Sequence, residues 1–474
     1  MSEIHDLTAL EQAAAVRART LSPVELVEHY LARIERVDPQ LGAYVTVTAD
    51  LAREEARRAE KAVADARNPD DLPPLHGVPV PIKDLTMVAG VRTTFGSAAY
   101  VDFVPPVDDG VVAFIRDAGA IVLGKTNTPE FGLPCYTESA IAPPARTPWD
   151  LRYSAGGSSG GAAAAVAAGL APLAHGNDGG GSIRIPASVC GLFGIKPARG
   201  RVSFGPFIPD FGLASHGPIA RTVRDAALLL DVMAHALPGD PYWAPPPPDG
   251  GTFLAQADRY PGRLRIGRYA TPPVPDAQVH PECLAAYESA SRLLAELGHE
   301  VEDIQPPFTP ELVESFVVMW GVMATRYPVD ESRADALLPL TRWLRAKGEA
   351  TPATAYAAAV GELQLATRRA VGAVQPYDAV LTPTLASPPA LVGEFHNEAD
   401  PAHNFAKQKN FTPFTAVYNV TGQPAVTVPL HWTADDLPVG VMLVGRPADE
   451  ATLIALAAAL EEARPWRDRH PSLW

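Results

Sequence analysis

"GVVAFIRDAGAIVLGKTN", residues 110 to 127, holds two elements in one stretch: a helix that breaks at Gly119, then the strand-like run Ile121-Val122-Leu123. The order of helix, glycine and strand returns in "CLAAYESASRLLAELGHEVEDI" (283 to 304), where Gly298 makes the break. From "GVPVPIKD" (77 to 84) onward, short apolar runs alternate with helical segments. Such alternation predicts an α/β fold, a mixed and largely parallel sheet covered by helices on both faces.

Working outward, residues 5 to 66 read as helices. "SPVELVEHYLARIERV" opens with Ser22 as a cap and Pro23 in the first turn, and sets Val24, Val27, Leu31 and Ile34 on one face. "AAAAVAAGLAPLA" (162 to 174) reads as a packed helix followed by a strand; it is too short for the roughly twenty apolar residues of a membrane span. The one break in composition, "PGDPYWAPPPPDGG" (238 to 251), suits a linker or a long surface loop. Chemically suggestive segments lie on both sides of it, so the loop reading is preferred. The chain then divides into N-terminal helices (5 to 66), a core (67 to 237), the Pro-rich loop, a variable region (252 to 375) and a C-terminal core (376 to 474), all within a single domain.

The 474 residues are 47% hydrophobic and 20% charged, enough to bury a large core. A net charge of -15 argues against nucleic acid or an anionic membrane as the partner, since both reward clustered Lys and Arg. Cys135, Cys190 and Cys283 are too few and too scattered for a disulfide framework or a zinc cluster, which fits a reducing, cytoplasmic setting. The N-terminus carries Glu3, Asp6 and Glu11 where a secretory signal needs a basic start and an apolar run, and reads as mature protein.

Two glycine-rich segments carry the chemistry. In "HGNDGGGSIRIPAS" (175 to 188), three glycines precede Ser182. They make either a tight surface turn or a ring of bare N–H groups that binds an oxyanion while the serine attacks a carbonyl. "SAGGSSGGAAAAVAAG" (154 to 169) enters a helix near Gly160. It lacks the Gly-Lys-Ser/Thr ending of a phosphate loop. A Gly-x-Ser-x-Gly pattern surrounds Ser159, but the preceding "WDLRYSAG" is polar where a nucleophile elbow needs an apolar strand. The third reading is a serine held beside another serine by a constrained loop.

A base must also be found. His175 and Asp178 lie on the strand and turn that deliver Ser182, too close in sequence for triad geometry, and His175 reads as a packing residue. Lys83 ends the near-apolar "GVPVPIK", so its ammonium enters the interior, where desolvation lowers a lysine pKa. An ordinary lysine is about 3.4 pH units too basic to serve at pH 7, a deficit of about 4.6 kcal/mol that burial and a hydroxyl network must supply. That makes Lys83 a candidate base. His396 and His403, beside Asn397 and Asn404, are read as loop residues, and no metal site or cofactor is expected.

"GVPVPIKD", "GKTNTPEFG", "GGSSGG", "GNDGGGSIRIPAS", "GIKPARGRVS", "GPIARTVRDAALLLD", "YDAVLTPT", "NVTGQPAVTVP" and "LPVGVMLVG" occur in this order, and together they resemble the amidase signature family from about residue 6 to about residue 466. The resemblance implies Ser182 as nucleophile, Lys83 as base and Ser158 as relay, the last held by a cis Gly157–Ser158 peptide. It implies an oxyanion hole from the N–H groups of Gly179, Gly180, Gly181 and Ser182, with Asp178 and Arg184 bracing the loop and Ser159 behind it. Gly179 departs from the family's usual Thr, which loosens the loop but spares the N–H. The implied reaction is amide hydrolysis through an acyl-enzyme, with no cofactor.

Within the family, the central stretch is nearest to hydrolases of small linear and cyclic amides, the 6-aminohexanoate cyclic dimer type included. Ile185 stands where glutaminase subunits of tRNA-dependent amidotransferases show Gln, which together with the acidic balance disfavours that role. A carbamate hydrolase with the same triad and a non-catalytic subunit remain alternatives. Phe131, Tyr136, Phe207, Ile208 and Trp320, on segments the family varies, suggest an apolar or aryl-bearing substrate; ordinary core packing is the competing reading for each. A small amide or carbamate and water are the expected partners, with a homodimer as a further expectation.

Overall fold

The computed structural model describes residues 3–396 and 399–474. Its centre is a sheet of eleven strands. In chain order these are β1 (Tyr44–Val47), β2 (Pro79–Lys83), β3 (Ile121–Thr126), β4 (Leu173–Asp178), β5 (Phe193–Lys196), β6 (Ser215–Ala220), β7 (Arg265–Arg268), β8 (Glu300–Asp303), β9 (Ala379–Pro383), β10 (Ala425–Trp432) and β11 (Pro438–Gly445). They lie side by side as β1-β3-β2-β4-β6-β5-β10-β11-β9-β7-β8.

The sheet is mixed, but less parallel than the alternation suggested. Among the described residues the parallel pairings are β2 with β3 and β4, and β7 with β8 and β9. The other six are antiparallel. The reason is local: β10 and β11 are joined by a tight turn in which Thr433 and Leu437 exchange hydrogen bonds, so no crossover helix separates them. The helix, glycine, strand units do form as read, with Gly110–Asp117 leading to β3 and Pro281–Glu296 to β8. Gly119 and Gly298 lie at φ +80° and +92° between them.

The segment 5 to 66 is helical apart from β1, a four-residue edge strand after Gly42. In Pro23–Leu41, the Ser22 hydroxyl accepts from the N–H groups of Val24 and Glu25, and Leu26, Val27, Leu31 and Ile34 turn inward. Arg33, on the same helix, is buried. Its guanidinium donates to the carbonyls of Ala168 and Gly169 at 2.9 Å, capping the helix Gly160–Ala167. Every residue of that alanine-rich helix is buried. A Cβ at Gly161 would stand 2.4 Å from the Ala43 carbonyl and the Asn127 N, so only glycine admits this approach of three backbones.

Residues 238 to 251 are tied to the core. Ala244 N–H donates to Gly200 O at 3.0 Å, and Ser203 Oγ to Asp240 Oδ1 at 2.9 Å. Among the described residues no helix is long and apolar enough to cross a membrane.

Candidate active site

Because β2, β3 and β4 run parallel, their C-terminal ends share one edge of the sheet, where α/β folds place their sites. Lys83 is the last residue of β2 and Asp178 the last of β4. The Lys83 side chain is fully buried, with Nζ 2.7 Å from Ser158 Oγ, 2.7 Å from Asn177 Oδ1 and 3.3 Å from Asn177 O. All three neighbours are neutral oxygens. Burial therefore holds the amine well below the ordinary lysine range, and the charge of Asp178 opposes this only in part. Lys125, on the adjacent strand, is equally buried, but its Nζ meets the carboxylate of Asp84 at 2.8 Å and Thr93 Oγ1 at 2.8 Å. Two buried lysines thus sit one strand apart, and one of them has an anionic partner.

The peptide Gly157–Ser158 is cis. Ser158 is buried just ahead of the helix Gly160–Ala167, with its hydroxyl toward Lys83. Ser159 turns the other way: its N–H donates to Ser182 O at 3.1 Å and its hydroxyl to Asn177 O at 3.2 Å. It therefore ties the two glycine-rich segments together instead of presenting a nucleophile, and no elbow forms around it.

From β4 the chain passes through Gly179, Gly180 and Gly181 to Ser182, then into the helix Arg184–Cys190. The Asp178 carboxylate organises this turn. Its Oδ1 accepts from Gly181 N–H at 2.7 Å and its Oδ2 from Ile183 N–H at 3.1 Å, and Arg184 grips both oxygens at 2.9 Å. Asn419 donates to Asp178 Oδ1 and to Leu213 O, and accepts from Arg184 at 2.6 Å. Burial alone would raise the Asp178 pKa, but the Arg184 charge and these hydrogen bonds outweigh it and hold the carboxyl below its usual range.

Gly181, at φ +134°, needs to be glycine, since a Cβ there would lie 2.5 Å from Thr415 Oγ1. Its N–H is spent on Asp178, which removes it from the expected set of four oxyanion donors. Among the described residues the N–H groups of Gly179, Gly180 and Ser182 have no acceptor. At Gly180 a Cβ would make ordinary contacts of 3.7 and 3.8 Å with Phe316 and Trp320, so this part of the loop faces open space beneath the two rings.

Two cavities meet at Ser182. The first is lined by Gly180, Ile185, Leu312, Phe316 and Phe405 among others. The second is lined by Ser158, Asn177, Gly179, Phe131, Ile208 and further residues. Ser182 and Trp320 line both.

Of the five aromatic and apolar candidates, Phe131, Ile208 and Trp320 reach these cavities, whereas Tyr136 and Phe207 do not. Tyr136 packs its backbone against Gly157, stacks on Phe395 at 5.6 Å and accepts from Asn404 Nδ2 at 3.3 Å. Phe207 is 52% exposed, beside the cis Gly205–Pro206 peptide. His175 is a packing residue: Nδ1 accepts the Lys83 N–H at 3.3 Å, and Nε2 lies 2.9 Å from His216 Nδ1. Burial keeps both rings neutral, pushing His216 down to about 3. His396 lies 2.9 Å from Glu138 in a loop, as read. His403 instead belongs to the helix Pro401–Phe411, which Asp400 caps and Pro401 starts; Asn397 lies outside the described residues.

The residues that sequence reasoning missed are Asn177, Thr415, Asn419, Phe316, Arg326 and Tyr327. Asn177 stood inside the quoted stretch, and the alternation of a strand would have set it opposite Asp178. Asn419 offered no such signal, because it reaches the loop from more than two hundred residues away.

The amidase family model matches residues 25–454. The 6-aminohexanoate-cyclic-dimer hydrolase of Paenarthrobacter ureafaciens is 36% identical over 498 residues, covering 98% of this chain and 96% of the relative. An acylamidase of Rhodococcus erythropolis is 35% identical, with 99% and 98% covered. The solved structure of 6-aminohexanoate cyclic dimer hydrolase superposes with a TM-score of 0.92 at 33% identity over 100% of both chains. The chain belongs to the amidase family and is a hydrolase of C–N bonds.

Proposed function

We propose that this enzyme hydrolyses small non-peptide carboxamides, with Ser182 as nucleophile, Ser158 as proton relay and Lys83 as base. The observation that carries the reading is the 2.7 Å approach of Lys83 Nζ to Ser158 Oγ, in surroundings where burial favours the neutral amine. Neutral Lys83 takes the Ser158 proton while Ser158 takes that of Ser182, and a bond forms between Ser182 Oγ and the carbonyl carbon. Negative charge gathers on the carbonyl oxygen, within reach of the N–H groups of Gly179, Gly180 and Ser182. The C–N bond then breaks as Ser158 protonates the leaving nitrogen and recovers its proton from Lys83. Water repeats the sequence on the acyl-enzyme and releases the acid.

The substrate class rests on two supports. The relatives include a cyclic-dimer hydrolase and an acylamidase, and the first cavity is walled mainly by apolar side chains. A hydrolysis screen over primary amides, anilides, cyclic lactam oligomers and carbamates, with Ser182→Ala as the blank, tests the reading. Turnover of amides, with a sulfonyl fluoride adduct located on Ser182 by mass spectrometry, is the expected result. An adduct elsewhere, or amide turnover by the blank, overturns it.

A further inference from the structure

The two cavities are not equivalent with respect to Ser158, which lines the second and not the first. In the proposed mechanism, Ser158 hands its proton to the departing nitrogen, so the amine portion must lie in the second cavity. The acyl portion then falls into the first.

Arg326 lines the amine cavity, just beyond the helix Pro310–Met323. Among the described residues its guanidinium makes no ion pair, and its side-chain contact is with the neighbouring Tyr327 ring, 5.3 Å away. Its charge is felt at His216, Asp109 and Asp210. Asp210 Oδ1 accepts the Gly212 N–H and Asp109 Oδ2 the Met87 N–H, each at 2.7 Å, while Asp109 Oδ1 is buried without a hydrogen bond; among the described residues neither carboxylate forms an ion pair with Arg326. The rest of the chamber includes a flat aromatic wall, Phe131 stacked on Tyr327 at 4.7 Å and 14°, with Phe204 and Ile208. A forked donor without a partner, beside a ring-lined slot, is complementary to a planar anion.

We infer that Arg326 recognises a carboxylate on the leaving amine, so that the preferred substrates are N-acyl derivatives of amino acids whose amine portion is flat or aromatic. This rests on the amidohydrolase reading above.

The test uses two substrates with one acyl group, N-hexanoyl-4-aminobenzoate and its neutral counterpart N-hexanoyl-4-aminoacetophenone, which carries no second amide. Both pass through the same acyl-enzyme, so a difference in kcat/KM arises before or during C–N cleavage. The wild-type enzyme is expected to favour the carboxylate about ten- to hundredfold. Arg326→Gln should bring that ratio to about one, and Arg326→Lys should restore part of it. A wild-type ratio near one, or a ratio unchanged in Arg326→Gln, overturns the inference while the amidohydrolase reading stands. Failure to hydrolyse any amide overturns the amidohydrolase reading instead. Product inhibition supplies a measurement that needs no variant: 4-aminobenzoate should inhibit wild-type hydrolysis of hexanamide about tenfold more strongly than 4-aminoacetophenone. Equal inhibition also overturns the inference.

Discussion

The floor and the roof of the site are built on different physical terms. Beneath the substrate space, on strand ends and short helices, two hydrogen-bonded groups meet at the Asn177–Asp178 peptide: Lys83 with Ser158 and Asn177, and Asp178 with Arg184 and Asn419. Above it, the helix Pro310–Met323 and the turn to Tyr327 present rings: Phe316 stacked on Trp320 at 5.3 Å, and Tyr327 on Phe131. The turn is held by its backbone, because Arg345 donates to the carbonyls of Ala324 and Tyr327 at 3.0 and 2.9 Å. Hydrogen bonds and a buried ion pair fix direction, whereas ring contacts fix only distance and area. The floor suits chemistry that needs preorganised donors, and the roof suits selection among substrates.

Substitutions in the floor should therefore abolish rate or stability, and substitutions in the roof should re-rank substrates. The largest effect is expected for Ser182→Ala, a loss of about 10⁴-fold or more in amide hydrolysis with the unfolding transition nearly unmoved. Activity within tenfold of wild type would remove Ser182 from the floor's chemistry. Lys83→Ala should lose about 10³-fold on amides and less on activated esters, whose leaving groups need little protonation. In the wild type, kcat/KM should rise with pH through one ionisation that falls below the ordinary lysine value of about 10.4, and Lys83→Ala should lack that rise.

Asp178→Asn leaves Arg184 buried beside a neutral amide and should cost about 3–5 kcal/mol in urea unfolding. The folded carboxyl titrates below its unfolded value of about 3.9. Its stabilisation is thus fully present above that pH and is lost as pH falls through the depressed folded value, a dependence the variant should lack. Trp320→Ala should cost about 1–3 kcal/mol in kcat/KM for bulky amides and shift their ranking against small ones. An unchanged ranking would make the roof mere packing. The smallest effect is expected from a metal chelator, which should leave amide turnover of the pure enzyme as it was.

The same division explains what could be read from the sequence. The helix, glycine, strand units, the cap at Ser22 and the burial of Lys83 at a strand end depend on residues near one another in the chain, and local pattern reports them. The pairing of β10 with β5, the reach of Asn419 to Asp178 and the loss of the Gly181 N–H depend on contacts between distant segments, and no spacing encodes them. Aromatic residues were the hardest to place. Tyr136 and Trp320 are both buried rings on segments between sheet strands, and only the tertiary arrangement decides which of them borders open space.

The position of β10 and β11 also has a consequence for how the molecule comes to exist. The last two strands in chain order among the described residues, they lie in the interior of the sheet, between β5 and β9. A chain that reaches only residue 424 holds two unjoined sheets, of six and of three strands, each with an unpaired strand edge open to other chains. Thr415 and Asn419, which hold Arg184, are present by then, but Met442, which lies 3.3 Å from Arg184, has yet to appear. Without β10 and β11 the sheet therefore carries two open edges, and Arg184 lacks its contact with Met442.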